Sequence, residues 1–277
     1  MDRYRAHKLA EREEIREALA AGADLRDEHG NRIRPLSNRS INMTLTLLGA
    51  VLETAVEYKH LASNPARGRR RRVPTADVEQ TFLEADQAML VLDAAGELDG
   101  EARADRKIGR RAMMALLVCA GVRVSELGGA SREHVDLGNR KLYVPDAKTP
   151  SGVRKVDLTP RMVDELVAYL HEHAKPEEGW LFPTASGKRR NKDNVNRHVV
   201  RPALARARSL AAGRGVAALP GRVTPHTLRR TYISLMLEAG ASVPYVMGQV
   251  GHAHPDTTLR IYAKLLNRDR SALGQAF

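Results

Sequence analysis

The stretch AMMALLVCAGVRVSEL, residues 112–127, decides how the rest of the chain is read. Ala112 to Ala120 are apolar without a break, which fits a helix buried on all sides rather than an amphipathic surface helix. Gly121 then stops it, because a helix C-terminus favours the residue that tolerates the left-handed conformation. Arg123 is thereby delivered to the end of a core helix, with Glu126 three residues on. Alone, such an arginine is usually a surface cation and such a glutamate an ordinary helix charge. Their meaning depends on what else the chain brings.

From Thr75 onward the pattern is mostly helical. The exception is a pair of short alternating runs, Lys141 to Val144 and Val153 to Leu158, flanking a turn that contains Pro150 and Gly152; they predict a β-hairpin with Lys148 at its tip. Thr159-Pro160 and Thr224-Pro225 each set a capping hydroxyl before a proline at the first helical position, predicting helices over Pro160 to Leu170 and Pro225 to Ala239. His226 and Arg229, three residues apart in the second, share a face. Asp256 can cap a further helix that carries Tyr262, with Leu259, Ile261 and Leu265 to pack it.

Before Thr75 the chain reads differently. Residues 6 to 21 form a charged helix with few apolar anchors, and Gly22 to Pro35 are a polar turn-rich loop. Ser37 caps a helix whose Ile41, Leu45, Leu48, Leu52 and Val56 make one apolar stripe, ended at Asn64-Pro65. Arg67, Arg69, Arg70, Arg71 and Arg72 then cluster with a glycine and a proline and no periodicity, a linker that is either a solvated tether or a strap along phosphates.

The 277 residues carry 45 Lys and Arg against 33 Asp and Glu, a formal charge of +12 and a pI near 10.1, which favours a polyanionic partner. A basic chain can also be merely soluble or ribosome-associated, so charge alone does not decide for DNA or RNA binding. Cys119 is the single cysteine, so a disulfide framework and a cysteine-rich zinc site are both excluded. No apolar stretch approaches the ~20 residues of a membrane span and the N-terminus is polar, so a cytoplasmic, nucleoid-associated protein without membrane contact is expected.

Breaking a phosphodiester needs its nonbridging oxygens held while charge redistributes, which planar, always-charged guanidinium does with paired donors. A phenol with an ordinary pKa of about 10 must lose its proton near neutrality and the leaving oxygen must gain one, tasks suited to histidine and lysine. The segment Gly121 to Leu127, Lys148 to Arg154, His226-Thr227-Leu228-Arg229, Gly251-His252 and Tyr262 occur in this order over about Thr75 to Leu265, and they resemble the boxes of the tyrosine recombinase (phage integrase) family. The resemblance implies a mainly α catalytic domain with a small antiparallel sheet at 75–277, a basic linker at 67–74 and a reduced helical core-binding-like domain at 1–66.

It further implies that Arg123 and Arg229 clamp the phosphate, Glu126 supports them, and Lys148 is the general acid, with Lys141 and Lys155 on the same hairpin as competitors. His226 would be the base or proton relay, His252 a phosphate ligand, and Tyr262 the nucleophile that forms a 3′-phosphotyrosine. No cofactor is expected. A metal site built on His226, His252 and His254 lacks accompanying carboxylates. The implied partners are double-stranded DNA, three further copies in a homotetramer on paired sites, with the tail from Asn267 to Phe277 docking on a neighbour, and DNA-bending accessory proteins. Only 36 residues precede Ser37, so a truncated, DNA-binding integrase remnant is one alternative and a type IB topoisomerase-like enzyme the other.

If the arginine cluster lies along the duplex, changing Arg69 through Arg72 to Gln will weaken specific and random DNA binding alike. The log–log salt slope will flatten by up to about 0.9 per lost phosphate contact. An unchanged slope in salt titrations would identify a solvated tether.

Overall fold

The computed structural model describes residues 2–67, 72–75, 81–103, 107–145, 152–173 and 179–276, with residues 267–276 described by their backbone alone. The expected Lys148 and Arg69, Arg70 and Arg71 lie outside these residues. The chain divides into two compact units, Met1–Glu79 and Gln80–Phe277.

In the first unit α1 (Asp2–Ala20) has no buried residue, as its sparse apolar content implies, and α2 (Asn38–Glu57) supplies the core. The Ser37 hydroxyl caps α2 by accepting from the Ser40 N–H at 3.0 Å. Ile41 and Leu45 of the apolar stripe are buried with Val73, and Tyr4 and Leu9 pack against them. Asn42 reads both backbone groups of Val73, donating to its carbonyl and accepting from its N–H, each at 2.8 Å. The Asn38 amide donates to the Pro74 carbonyl at 2.6 Å. Val73 and Pro74, expected within a linker, are therefore held on α2, while Arg67 pairs with Glu53.

α2 ends at Glu57 rather than at Asn64-Pro65. Lys59 takes a left-handed φ of 60° and the His60 N–H reaches back to the Ala55 carbonyl at 2.8 Å, a helix-ending turn made without the glycine that would have announced it.

The second unit is mainly helical, with α3 (Ala85–Gly100), α4 (Arg110–Cys119) and α5 (Val124–Gly128) preceding a three-stranded antiparallel sheet of β1 (Val135–Asp136), β2 (Lys141–Val144) and β3 (Arg154–Asp157). Then follow α6 (Pro160–Glu172), α7 (Lys192–Val195), a π-type segment Asn196–Val200, α8 (Arg201–Ala211), α9 (Pro225–Glu238), α10 (Val243–Val250) and α11 (Asp256–Ala276). The β2–β3 register pairs Lys141 with Asp157 and Val144 with Arg154, so Leu142, Val144 and Val156 face the core.

Helix α4 lies at the centre, buried from Ala112 to Val118 and packed by α3, α6 and α9. Gly121 follows it at φ 60°, and a Cβ built there would stand 2.3 Å from the ring of buried Tyr232 on α9. Only glycine meets both conditions. Pro202 on α8 has no N–H to offer the His198 carbonyl, and Arg110 of α4 takes that acceptor at 3.2 Å, fixing α4 to the π-type segment.

The α9 N-terminus is closed as expected, Thr224 accepting from the Thr227 N–H at 3.2 Å. On α11, Ile261 and Leu265 are buried against Phe82, Tyr232, Val246 and Val250, but Leu259 is exposed. Two residues from Ile261, Leu259 lies across the helix from it, and the buried row is instead Thr258, Ile261 and Leu265.

Replacing Gly121 with Ala will cost more than about 2 kcal/mol, because it combines left-handed strain with overpacking against Tyr232. Urea titration of the two proteins measures this; a loss below about 0.5 kcal/mol would mean that the α4–α9 contact is slack.

Candidate active site

The site is built on the end of one short helix. α10 closes at Gly251, left-handed at φ 62°, and the His252 N–H reaches back to the Met247 carbonyl at 3.1 Å while the Gly251 N–H reaches Gly248 at 3.3 Å. That turn leaves the carbonyls of Gln249, Val250 and Gly251 without helix partners, at the negative end of the helix dipole. Each is taken by an arginine from elsewhere. Arg154 Nε donates to Gln249 at 2.6 Å, Arg229 Nη2 donates to Val250, and Arg123 Nη2 donates to Gly251 at 2.9 Å. Arg229 Nη1 also reaches the Gly121 carbonyl at 2.6 Å, so the glycine that ends α4 and the helix end of α10 are bridged by one guanidinium.

Glu126, with its side chain 4% exposed, joins two of the three arginines. Its Oε1 accepts from Arg123 Nη1 at 2.7 Å and Arg154 Nη1 at 3.1 Å; its Oε2 accepts from the Arg123 backbone N–H at 2.7 Å and Arg154 Nη2 at 2.9 Å. Burial works to raise the Glu126 pKa, but the hydrogen bonds and charge of Arg154, and then of Arg123, outweigh it, and the carboxyl is held below its ordinary range. Three guanidiniums against one carboxylate leave the site net positive.

The arginines differ in what they have left to give. Arg123 keeps 29% of its side chain exposed and spends two of its five N–H donors among the described residues. Arg229 is buried, and its pKa is lowered by burial first and then by the Arg123 charge.

Both histidines are shifted toward the uncharged form. His252 is pushed down to about 4, by burial first and then by Arg229, Arg123 and Arg154, and its Nδ1 lies 3.0 Å from the Thr258 hydroxyl. His226 stands in the first turn of α9, its pKa lowered by desolvation and then by Arg229, Arg230 and Arg123. It is therefore able to accept a proton.

Tyr262 lies one turn beyond Thr258 on the same face of α11 and is 38% exposed. Neighbouring tyrosines are less suited to attack: Tyr232 is buried, which pushes its pKa well up, and Tyr245 is pushed up to about 12 by burial and by the 2.8 Å bond it donates to Asp157. Arg123, Glu126, Arg229 and His252 thus converge with His226 close by, and Tyr262 stands on the helix whose Thr258 meets His252. Arg67 belongs to the first unit and is paired with Glu53.

Arg154 was missed as a site residue by sequence reasoning, although a signal for it existed. In the strand pattern of β3 it alternates with Lys155 and shares the inward face with Val156, and a buried cation requires partners. Gln249 and Thr258, both buried, carried no such signal. Among the described residues no group of three or more His, Cys, Asp or Glu is placed to hold a metal ion, and no helix is long and apolar enough to cross a membrane.

With this geometry in hand, comparison with known proteins gives consistent results. The tyrosine recombinase XerC of Psychromonas ingrahamii is 27% identical over 233 residues, 83% of this chain and 71% of that protein. The tyrosine recombinase XerA of Thermococcus kodakarensis is 28% identical over 230 residues, 83% of this chain and 72% of that protein. Among solved structures, the Tn1549 transposon integrase in complex with a circular intermediate DNA matches with a TM-score of 0.66 at 22% identity, covering 82% of this chain and 75% of that one. A lambda integrase dimer bound to a COC′ core site matches with a TM-score of 0.57 at 18% identity, covering 81% and 59%. These share the fold. The phage integrase family profile matches residues 81–268, well over half of the chain, and the protein therefore belongs to the phage integrase family of tyrosine recombinases.

Proposed function

We propose that the protein cleaves and rejoins double-stranded DNA at specific sites through a covalent phosphotyrosine at Tyr262. The observation that carries this reading is the cluster of Arg123 and Arg229 on the α10 helix end, with two uncharged histidines beside it. Arg123 and Arg229 hold the nonbridging oxygens of the scissile phosphate. The phenol oxygen attacks phosphorus, its proton passes to His226, and the bond to the 5′ oxygen breaks. Lys148 supplies the proton that the 5′ oxygen takes up. His252 donates a hydrogen bond to the phosphate, its ring oriented by Thr258. The 3′-phosphotyrosine keeps the bond energy, and attack by another 5′ hydroxyl reverses each step without ATP.

DNA is the partner. Integrases of the same fold were solved bound to DNA, and the chain's charge of +12 suits a phosphate backbone. Exchange between two duplexes requires four active sites on paired sites, so a homotetramer, with DNA-bending accessory proteins where the sites lie apart, is part of the same reading. Residues 1–66 and the basic run with Arg67 and Arg69 to Arg72 would add further contacts to the phosphate backbone.

On a nicked suicide substrate, Tyr262→Phe will bind DNA with unchanged affinity and form no adduct in a denaturing gel, whereas the unaltered protein will accumulate it. An undiminished adduct in the variant sinks the assignment.

Arg229→Lys retains the charge but has no fork to bridge Gly121 and Val250. Cleavage will fall by about 10²-fold or more while DNA affinity changes little, since many other cations supply phosphate contacts. Parallel losses in both would make Arg229 a DNA anchor instead.

A further inference from the structure

The buried arginine of β3 has no part in the chemistry above, yet it makes more bonds than either clamp. We propose that Arg154 is a positioning residue, which fixes the Glu126 carboxylate, and through it the phosphate-facing guanidinium of Arg123, while tying the β2–β3 hairpin to the end of α10.

Four of its five N–H donors are spent: on Gln249 O at 2.6 Å, Gly152 O at 2.9 Å, and the two Glu126 oxygens at 3.1 and 2.9 Å. With its side chain 6% exposed, it has neither the donors nor the access to bind a phosphate. Its action is on Glu126. Two oxygens of one carboxylate accept four bonds, two from each arginine, so the carboxylate's lone-pair positions are full.

This division determines how Arg123 is held. Arg123 gives Glu126 a single Nη1 bond and sends Nη2 to Gly251, which keeps its remaining donors for a ligand. Without Arg154, both carboxylate oxygens fall to Arg123, and the favoured geometry between the two becomes a bidentate fork that uses a second donor edge. The guanidinium then turns from the Gly251 carbonyl and presents fewer N–H groups to the phosphate.

The hairpin is tied at the same place. Beyond Arg154, the Asp157 N–H donates to Gln249 Oε1 at 2.7 Å, the Gln249 amide donates back to Asp157 Oδ2 at 3.3 Å, and Tyr245 OH donates to Asp157 Oδ2 at 2.8 Å. β3 is therefore pinned to α10 through two of its four residues, Arg154 and Asp157. Strand β3 and the helix end that holds the clamps are thus fastened together.

The inference rests on the reading of Arg123 as a phosphate clamp. Its test is a double-mutant cycle on single-turnover cleavage of a suicide substrate at saturating DNA, using Arg154→Gln, Arg154→Lys, Arg123→Lys and the combinations. Arg154→Gln alone is expected to slow cleavage about 10²-fold with DNA affinity within about threefold, and Arg154→Lys to do the same to a smaller degree. Added to Arg123→Lys, either is expected to cost less than about threefold more, because the group it positions is already displaced.

Full multiplicative loss in the double variant, or a loss of DNA affinity parallel to the loss of rate, overturns the proposal. If Arg154→Gln does not fold, as judged by its urea transition, Arg154→Lys carries the same readings; loss of fold in both makes Arg154 a stability residue and overturns it as well. If Arg123→Lys cleaves normally, the clamp reading itself has failed, an outcome separate from these.

Discussion

Three consecutive carbonyls at the end of α10, each accepting from a different arginine, organise the catalytic unit. The Gly251 turn uses the carbonyls of Met247 and Gly248, and the next three would be unsatisfied without Arg154, Arg229 and Arg123. These arginines come from β3, α9 and the residue before α5, parts of the chain that share no local interaction. A helix C-terminus attracts cations, but by itself the effect is small, at most ~2 kcal/mol in partly buried geometry. Here it is joined to the buried Glu126 carboxylate, whose four bonds keep two like charges adjacent. Removing any one partner leaves a buried charge or carbonyl unmet, the situation in which polar networks cost the most.

The protonation states follow from the same cluster. Burial first, and then the charge of the neighbouring arginines, lowers the pKa values of His226 and His252 and favours the uncharged rings. A bound phosphate would add negative charge and ease proton uptake by both rings. In the proposed mechanism the charge that gathers the phosphate also holds the acid–base groups in the form needed before it arrives.

Much of this fold was legible because its signals are local. The apolar run ending at Gly121, the Thr-Pro starts of α6 and α9, and the alternating strands of the hairpin each specify their element within a few residues. Signals failed where the deciding partner was distant or atypical. α2 ends at a left-handed lysine, a conformation Lys59 shares with no sequence cue. Leu259 was assigned to the packed face of α11, but the helix chose the row of Thr258, Ile261 and Leu265, where the buried threonine serves His252. Arg123, Arg229 and the two histidines were named through their boxes, and the structure brings them near one another, whereas Arg154 stood in plain alternation with core residues and needed its acceptors on Glu126 and Gln249 to be understood.

The parts of the site are fastened by different physics. Arg123 and Arg229 are held by charged hydrogen bonds in a buried network that cannot be partly released without stranding a polar group. The α11 helix that carries Tyr262 is held by Ile261 and Leu265 in an apolar cluster and by one bond between Thr258 and His252. Apolar contacts are non-directional, each buried side chain contributing roughly 1.5–3 kcal/mol, and they tolerate sliding that a bidentate bond does not. The arginine half of the site is thus specified by geometry and the Tyr262 half by burial. In the proposed mechanism such a division lets the tyrosine be aligned to a scissile phosphate by DNA itself, against a clamp that is already in place.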